Sequence, residues 1–225
     1  VLNNNTWEQI RAASDRGIAS TLWSVGDRKA VTLDGTVGNF TFSSVGTYAF
    51  IIGFDHNSSY EGTGRIHFQL AKTALSGGSN VCFVDGKYGS SVSSTGYFSM
   101  NSSNTNSGGW DSSQMRSLLG TSLSSYSEKF IGALPSALRS VLKSVTKYTD
   151  NTGNSSTSAA NVTATTDYLF LLAEYEVFGS ISYANSNESS KQAQYAYYSA
   201  GNSKIKYKHT DTETAAIWWL RSPYA

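Results

Sequence analysis

Tyr48-Ala49-Phe50-Ile51-Ile52-Gly53-Phe54 decides how the rest of the chain is read. Apolar residues fall on both alternating faces of this stretch. A strand of that kind must be covered on both sides, so it is predicted as the central strand of a sheet. Toward the N-terminus, period two returns in Thr21-Leu22-Trp23-Ser24-Val25 and Lys29-Ala30-Val31-Thr32-Leu33, which flank Gly26-Asp27, and Asp34-Gly35 makes the next turn. The pattern predicts a meander of short strands. Further out, Thr6 and Gln9 have the spacing of a capping box, with Trp7, Ile10, Ser14 and Ile18 on one helix face and Gly17 near its stop. Toward the C-terminus, Arg65–Leu70 and Val81-Cys82-Phe83-Val84 alternate as half-buried strands.

Beyond these, Gly86 to Gly109 is almost entirely Ser, Thr, Asn, Gly and Tyr, a loop long enough to be functional. Helices are predicted at Asp111–Leu119, with Asp111 and Gln114 capping and Gly120 stopping, and at Pro135–Val145, where Leu138, Val141, Leu142 and Val145 repeat at helical spacing. A second polar loop, Asp150–Thr163, precedes the most apolar segment, Tyr168–Leu172. Ser189–Ala200 reads as a short Tyr-rich helix and Ile217–Leu220 as a buried strand. No repeat or linker divides the chain. The expectation is one α+β domain over 1–225 with a leading helix in 1–19, built on irregular antiparallel sheet with short helices and long polar loops. Trp23, Phe50, Ile52, Leu169, Leu171, Trp218 and Leu220 should form one core cluster.

The chain has 225 residues, enough to bury a core without a metal or disulfide staple. Its 17 basic and 16 acidic residues leave a net charge of +1, which offers no general footprint for nucleic acid or an anionic membrane. No apolar run approaches the length of a membrane span. The chain opens on Val1 without a basic-then-apolar leader, and so reads as a processed or excised piece of a longer polypeptide. In place of charge stand 38 Ser, 21 Thr and 15 Asn, with 14 Tyr and 20 Gly. This is the chemistry of paratopes, where aromatic rings give contact area and small polar residues give adaptable hydrogen bonds.

Motifs of enzymes are mostly missing: there is no His-Glu-x-x-His, no Gly-x-Ser-x-Gly, no phosphate loop and no dinucleotide fingerprint. His56, beside Asp55 and near Glu61, is read as part of a polar turn rather than as a base. His67 is read as a satisfied or surface histidine, and lone Cys82 as a small core residue. Asp150-Asn151-Thr152-Gly153-Asn154 lacks the spacing of a calcium loop, so neither a metal nor a cofactor is expected. Glu174 and Glu176, two apart on a presumed strand, would share a face and suit a glycosidase pair. The favoured reading instead gives one of them to Arg221 as a buried structural ion pair, because a guanidinium inside Trp219-Leu220-Arg221-Ser222-Pro223 needs a carboxylate.

The most specific string is Trp218-Trp219-Leu220-Arg221-Ser222-Pro223. With Leu22–Asp27, Ile51–Asn57, Gly108-Gly109-Trp110, Met115-Arg116 and Leu171–Gly179 it resembles, in order from about Thr21 to Pro223, a domain of unknown function. That domain occurs in secreted proteins of gut-type Gram-positive bacteria and in structural proteins of their phages. Its Trp-Leu-Arg-Ser signature is similar to that of C-type-lectin-like and formylglycine-generating-enzyme-type folds, including variable proteins diversified by retroelements. The resemblance implies a C-type-lectin-like fold, no enzymatic activity, and further strands past Ala225. The formylglycine enzymes' catalytic cysteines have no counterpart beside Cys82. The implied role is an adhesion or receptor-binding module on a virion or cell surface, meeting a host surface glycan or protein and other virion or surface subunits. The alternatives are a decorating virion protein, or a carbohydrate-active enzyme using Glu174 and Glu176. A neutral glycan would meet the loops Tyr88–Trp110 and Tyr183–Tyr207, with Tyr97, Trp110, Tyr195, Tyr197, Tyr198 and Asn202 as contacts.

Overall fold

Three strands, β1 (Arg28–Val37), β2 (Phe40–Phe54) and β3 (Ile66–Ala71), form an antiparallel sheet with β2 in the middle. The computed structural model describes residues 1–38, 40–71, 73–74, 80–81, 98–155, 157–207 and 213–224. The readings of Cys82 and Tyr97, most of the Val81–Val84 strand and the first part of the Gly86–Gly109 loop fall outside the described residues, as does the third histidine, His209.

The two-faced strand sits where its sequence puts it, but it divides the core instead of gathering it. Ala49 and Ile51 point into a large cluster with Trp7, Ile10, Trp23, Phe42 and Trp110, against which Leu169, Leu171 and Trp219 pack. Phe50 and Ile52 point into a second cluster with Leu172, Val177, Tyr195, Tyr197 and Tyr198, joined by Trp218 and Leu220. The expected single cluster of seven residues is therefore split between the two sides of one sheet. Val25 and Phe170 touch both clusters.

Asp34-Gly35 is not a turn. The register of β1 shifts between Leu33 and Gly35, a bulge that Gly35 accommodates at φ +130°, and the strand runs on to the hairpin at Gly38. The leading helix α1 (Trp7–Asp15) carries the complete Thr6/Gln9 capping box. After it, Thr21 and Leu22 belong to a helical turn, α2 (Ala19–Leu22), and not to a strand.

Short elements complete the molecule. They are α3 (Ser58–Glu61), the two-residue strands β4 (Thr73–Ala74) and β5 (Asn80–Val81), α4 (Gln114–Leu119), α5 (Phe130–Ala133) and α6 (Ser136–Arg139). After these come β6 (Val145–Asp150), β7 (Val162–Asp167), α7 (Glu174–Phe178), α8 (Ala196–Ser199), β8 (Lys206–Tyr207) and β9 (Ala215–Ala216). β6 and β7 pair as an antiparallel hairpin, and β4-β5-β8-β9 form a small sheet in which only β5 and β8 run parallel. The helix expected over Pro135–Val145 is a single turn, because Val145 already opens β6. Ser113, not Asp111, caps α4. Tyr168–Leu172 and Ile217–Leu220 join no ladder, and Ile217 is exposed. The class is α+β, with small, largely antiparallel sheets and short helices. No helix among the described residues is long and apolar enough to cross a membrane.

Candidate functional site

Arg221 is held by the end of the chain against the β6–β7 hairpin and α7, and it is completely enclosed. Its Nη1 donates to Glu176 Oε2 at 2.5 Å and to the Leu171 carbonyl at 2.8 Å. Nη2 donates to Glu176 Oε1 at 2.9 Å, and Nε to Thr149 Oγ1 at 2.7 Å. The fork-on-fork geometry gives a charge-assisted pair, with four of the five guanidinium N–H groups engaged. Glu176 also accepts the Ala173 N–H, closing the first turn of α7. Burial alone would raise its carboxyl, but Arg221 and Lys147 outweigh burial and hold it far below the ordinary range.

Lys147 reaches the same carboxylate from β6. Its ammonium donates to Glu176 Oε1 at 2.9 Å, Glu61 Oε1 at 2.8 Å and Tyr195 Oη at 2.8 Å, and lies 4.5 Å from the centre of the Phe170 ring. Around it close His56, from the turn after β2, and His67, from β3. The His56 ring stacks on Tyr195 at 3.6 Å, and His67 Nδ1 lies 2.9 Å from Tyr195 Oη. Both histidines face Glu61, at 3.8 Å from His56 Nε2 to Oε1 and 3.7 Å from His67 Nε2 to Oε2. Burial lowers His56 to about 3 and takes His67 well below its usual value. Burial pushes the Glu61 carboxyl up to about 7 against the pull of Lys147. Ligand atoms of His56, Glu61 and Glu176 all lie within 4.8 Å of one another. The turn that holds His56 and Glu61 is polar, as its sequence implies, yet both side chains point inward.

The structure thus brings Arg221 and Glu176 together and leaves Glu174 out of the pair. Strand geometry would have put both glutamates on one face; α7 is helical, and residues two apart on a helix diverge. The Glu174 carboxylate turns instead to the chain at 182–184. It accepts the Ser182 N–H at 2.8 Å, the Ala184 N–H at 2.9 Å and the Tyr183 N–H at 3.2 Å. Neither carboxylate is left free to act on a sugar.

Four of the expected ligand contacts, Trp110, Tyr195, Tyr197 and Tyr198, are interior residues. Trp110 is fully enclosed and its Nε1 donates to Asp167 Oδ2 at 3.0 Å, while Arg116 and Thr165 donate to the same carboxylate. Tyr195, Tyr197 and Tyr198 are at most 3% exposed. Tyr197 packs 5.1 Å from Phe50, and Tyr198 Oη donates to Gln69 at 2.7 Å. Half-buried Asn202 donates to the Tyr197 carbonyl and braces α8. These aromatics complete the second core cluster, because β2 presents an apolar face there that needs covering.

What remains outside is a different pair. Tyr183 and Tyr224 are 67% and 66% exposed, with rings 6.0 Å apart and 27° from parallel. Both have anchored backbones: Glu174 holds the Tyr183 N–H, and Asn106 Nδ2 donates to the Tyr224 carbonyl at 2.6 Å. Tyr183 lies at the edge of the loop expected to bind. Nothing in the sequence around Tyr224 signals that its ring meets Tyr183.

Residues 79–225, well over half of the chain, match the profile of a domain of unknown function, DUF6273. The chain belongs to that family. Within the DUF6273 span lie α7, Arg221, Lys147 and both exposed tyrosines. β1, β2, β3, His56, Glu61 and His67 precede it. No curated protein and no solved structure matches the chain.

Proposed function

We propose that this DUF6273 member is a non-enzymatic adhesion or receptor-binding module of C-type-lectin-like fold, displayed on a virion or bacterial surface, and that it recognises a glycan. The observation that carries the reading is the exposed pair Tyr183 and Tyr224. Two near-parallel rings 6.0 Å apart, on anchored backbone, present an apolar face on which a pyranose ring can stack. Hydroxyls and amides nearby, such as Ser182 and Asn106, supply hydrogen bonds without charge. The internal engagement of Glu174 and Glu176 speaks against the glycosidase alternative, and the enclosure of Trp110, Tyr195, Tyr197 and Tyr198 favours Tyr183 and Tyr224 as the recognition surface.

The test is binding of the wild type, Tyr183→Ala, Tyr224→Ala and the double variant to an array of neutral glycans and to host cells, alongside thermal melts. The expected outcome is a loss of about tenfold or more in the double variant, corresponding to ~1.4 kcal/mol, with an unchanged melting temperature. Wild type that binds no glycan and no cell would favour a decorating role. Release of free sugar by the wild type would make the protein an enzyme.

A further inference from the structure

Three buried side-chain atoms without a hydrogen-bond partner converge between β2, α3 and β3: His56 Nε2, His67 Nε2 and Glu61 Oε2. Each belongs to a side chain at least nine-tenths enclosed. A folded interior rarely leaves one such atom unpaired, and three facing each other mark a place built for an occupant. We propose that this place binds a divalent transition-metal cation of the zinc class, held by His56 Nε2, His67 Nε2 and Glu61 Oε2, with a fourth position left to water.

The donor set is two imidazoles and one carboxylate, a combination that suits this class of ion. His67 Nε2 stands 3.7 Å from Glu61 Oε2, and His56 Nε2 stands 3.8 Å from the other oxygen of the same carboxylate, Oε1. Ligands about 2.1 Å from a common ion, at angles between tetrahedral and trigonal, stand roughly 3.4–3.6 Å apart, so His67 and Oε2 are already near that spacing and His56 completes the site by swinging from Oε1 toward Oε2. The rings are oriented for it. His56 stacks its ring on Tyr195 and turns Nε2 toward the Glu61 carboxylate. His67 pairs its Nδ1 with Tyr195 Oη, which leaves Nε2 as the nitrogen facing Glu61 Oε2.

Lys147 already occupies the other side of Glu61, on Oε1, so the ion and the ammonium share the carboxylate without sharing an oxygen. Glu176 is not a ligand, because Lys147, Arg221 and the Ala173 N–H already use both of its oxygens. A cavity of about 170 Å³, lined in part by His67, Arg65, Val145 and Phe170, lies against the same histidine and offers an approach. The site lies apart from Tyr183 and Tyr224, so it stands or falls independently of glycan binding.

The experiment is titration of the metal-stripped full chain with Co²⁺ and with Zn²⁺. One equivalent of Co²⁺ should give the strong visible absorption of a four-coordinate ion, and Zn²⁺ should displace it and raise the melting temperature. His67→Gln and Glu61→Gln should lose both effects, while Cys82→Ser and His209→Ala retain them. Wild type with no visible band and no thermal shift overturns the proposal, as does a band that survives in His67→Gln and Glu61→Gln. If those variants do not fold, anomalous diffraction at the zinc edge from soaked wild-type crystals decides. A peak bonded to His56 and His67 supports the site. A water there, or a peak elsewhere, overturns it.

Discussion

A guanidinium deep in the interior fixes much around it, and Arg221 shows how far that reaches. It engages Glu176, Thr149 and the Leu171 carbonyl, so one side chain ties the chain's end to α7, β6 and the segment before α7. Arg221→Met should destabilise by about 3–5 kcal/mol, because it strips one cation from a wholly buried carboxylate. Urea unfolding should show Arg221→Met with Glu176→Met costing clearly less than the sum of the two single changes. Trp110→Ala should cost about 3–5 kcal/mol, through the void it leaves and through the donor lost to Asp167. Its melting temperature should fall without any specific loss of adhesion, the reverse of the outcome expected at Tyr183. The need of Arg221 for a carboxylate is legible in Trp-Trp-Leu-Arg, since a lone charge cannot sit among tryptophans. The choice of Glu176 over Glu174 is not legible, because it depends on α7 being helical where the apolar run before it reads as a strand. Counting tyrosines in polar loops also misleads: Tyr195, Tyr197 and Tyr198 are large enough to roof a core, and nothing local separates that use from display.

At the scale of elements, the capping box of α1 and the central place of β2 follow from local sequence, since both signals lie within a few consecutive residues. The β6–β7 hairpin hides for the opposite reason. Its buried positions include Lys147, Thr149 and Asp167, which meet partners from distant segments, so hydropathy along the strands shows no alternation. The hairpin loop is clamped by two glycines. Gly109, at φ +52°, lies against the backbone of Asp150 and Asn151, and Gly153, at φ +58°, lies against the carbonyl of Asn106. A methyl group on either would overlap main chain that has nowhere to go. Gly109→Ala and Gly153→Ala should each cost more than the ~1 kcal/mol usual for alanine at positive φ, read as a drop in the urea midpoint. Gly46→Ala, within β2 and with open space around it, should stay within about 0.5 kcal/mol of wild type.

For the molecule as a whole, β2 is the wall between two cores, and neighbouring residues report on opposite sides of it. Ile51→Ala opens a void in the cluster with Trp7 and Trp23, and Ile52→Ala opens one in the cluster with Tyr195 and Val177. Each should cost about 2–5 kcal/mol, and in both variants tryptophan fluorescence and far-ultraviolet dichroism should lose structure in one shared transition. Two separated transitions would mean that the cores fold independently. The wall also bears on the matched span. The family match on this chain begins at residue 79, yet Lys147 and the apolar face of Tyr197 find partners in Glu61 and Phe50, upstream of that point. The matched span therefore does not hold every partner that its own buried groups use. Residues 79–225 expressed alone would lack the strand with two oily sides and one of the acids that meet the lysine.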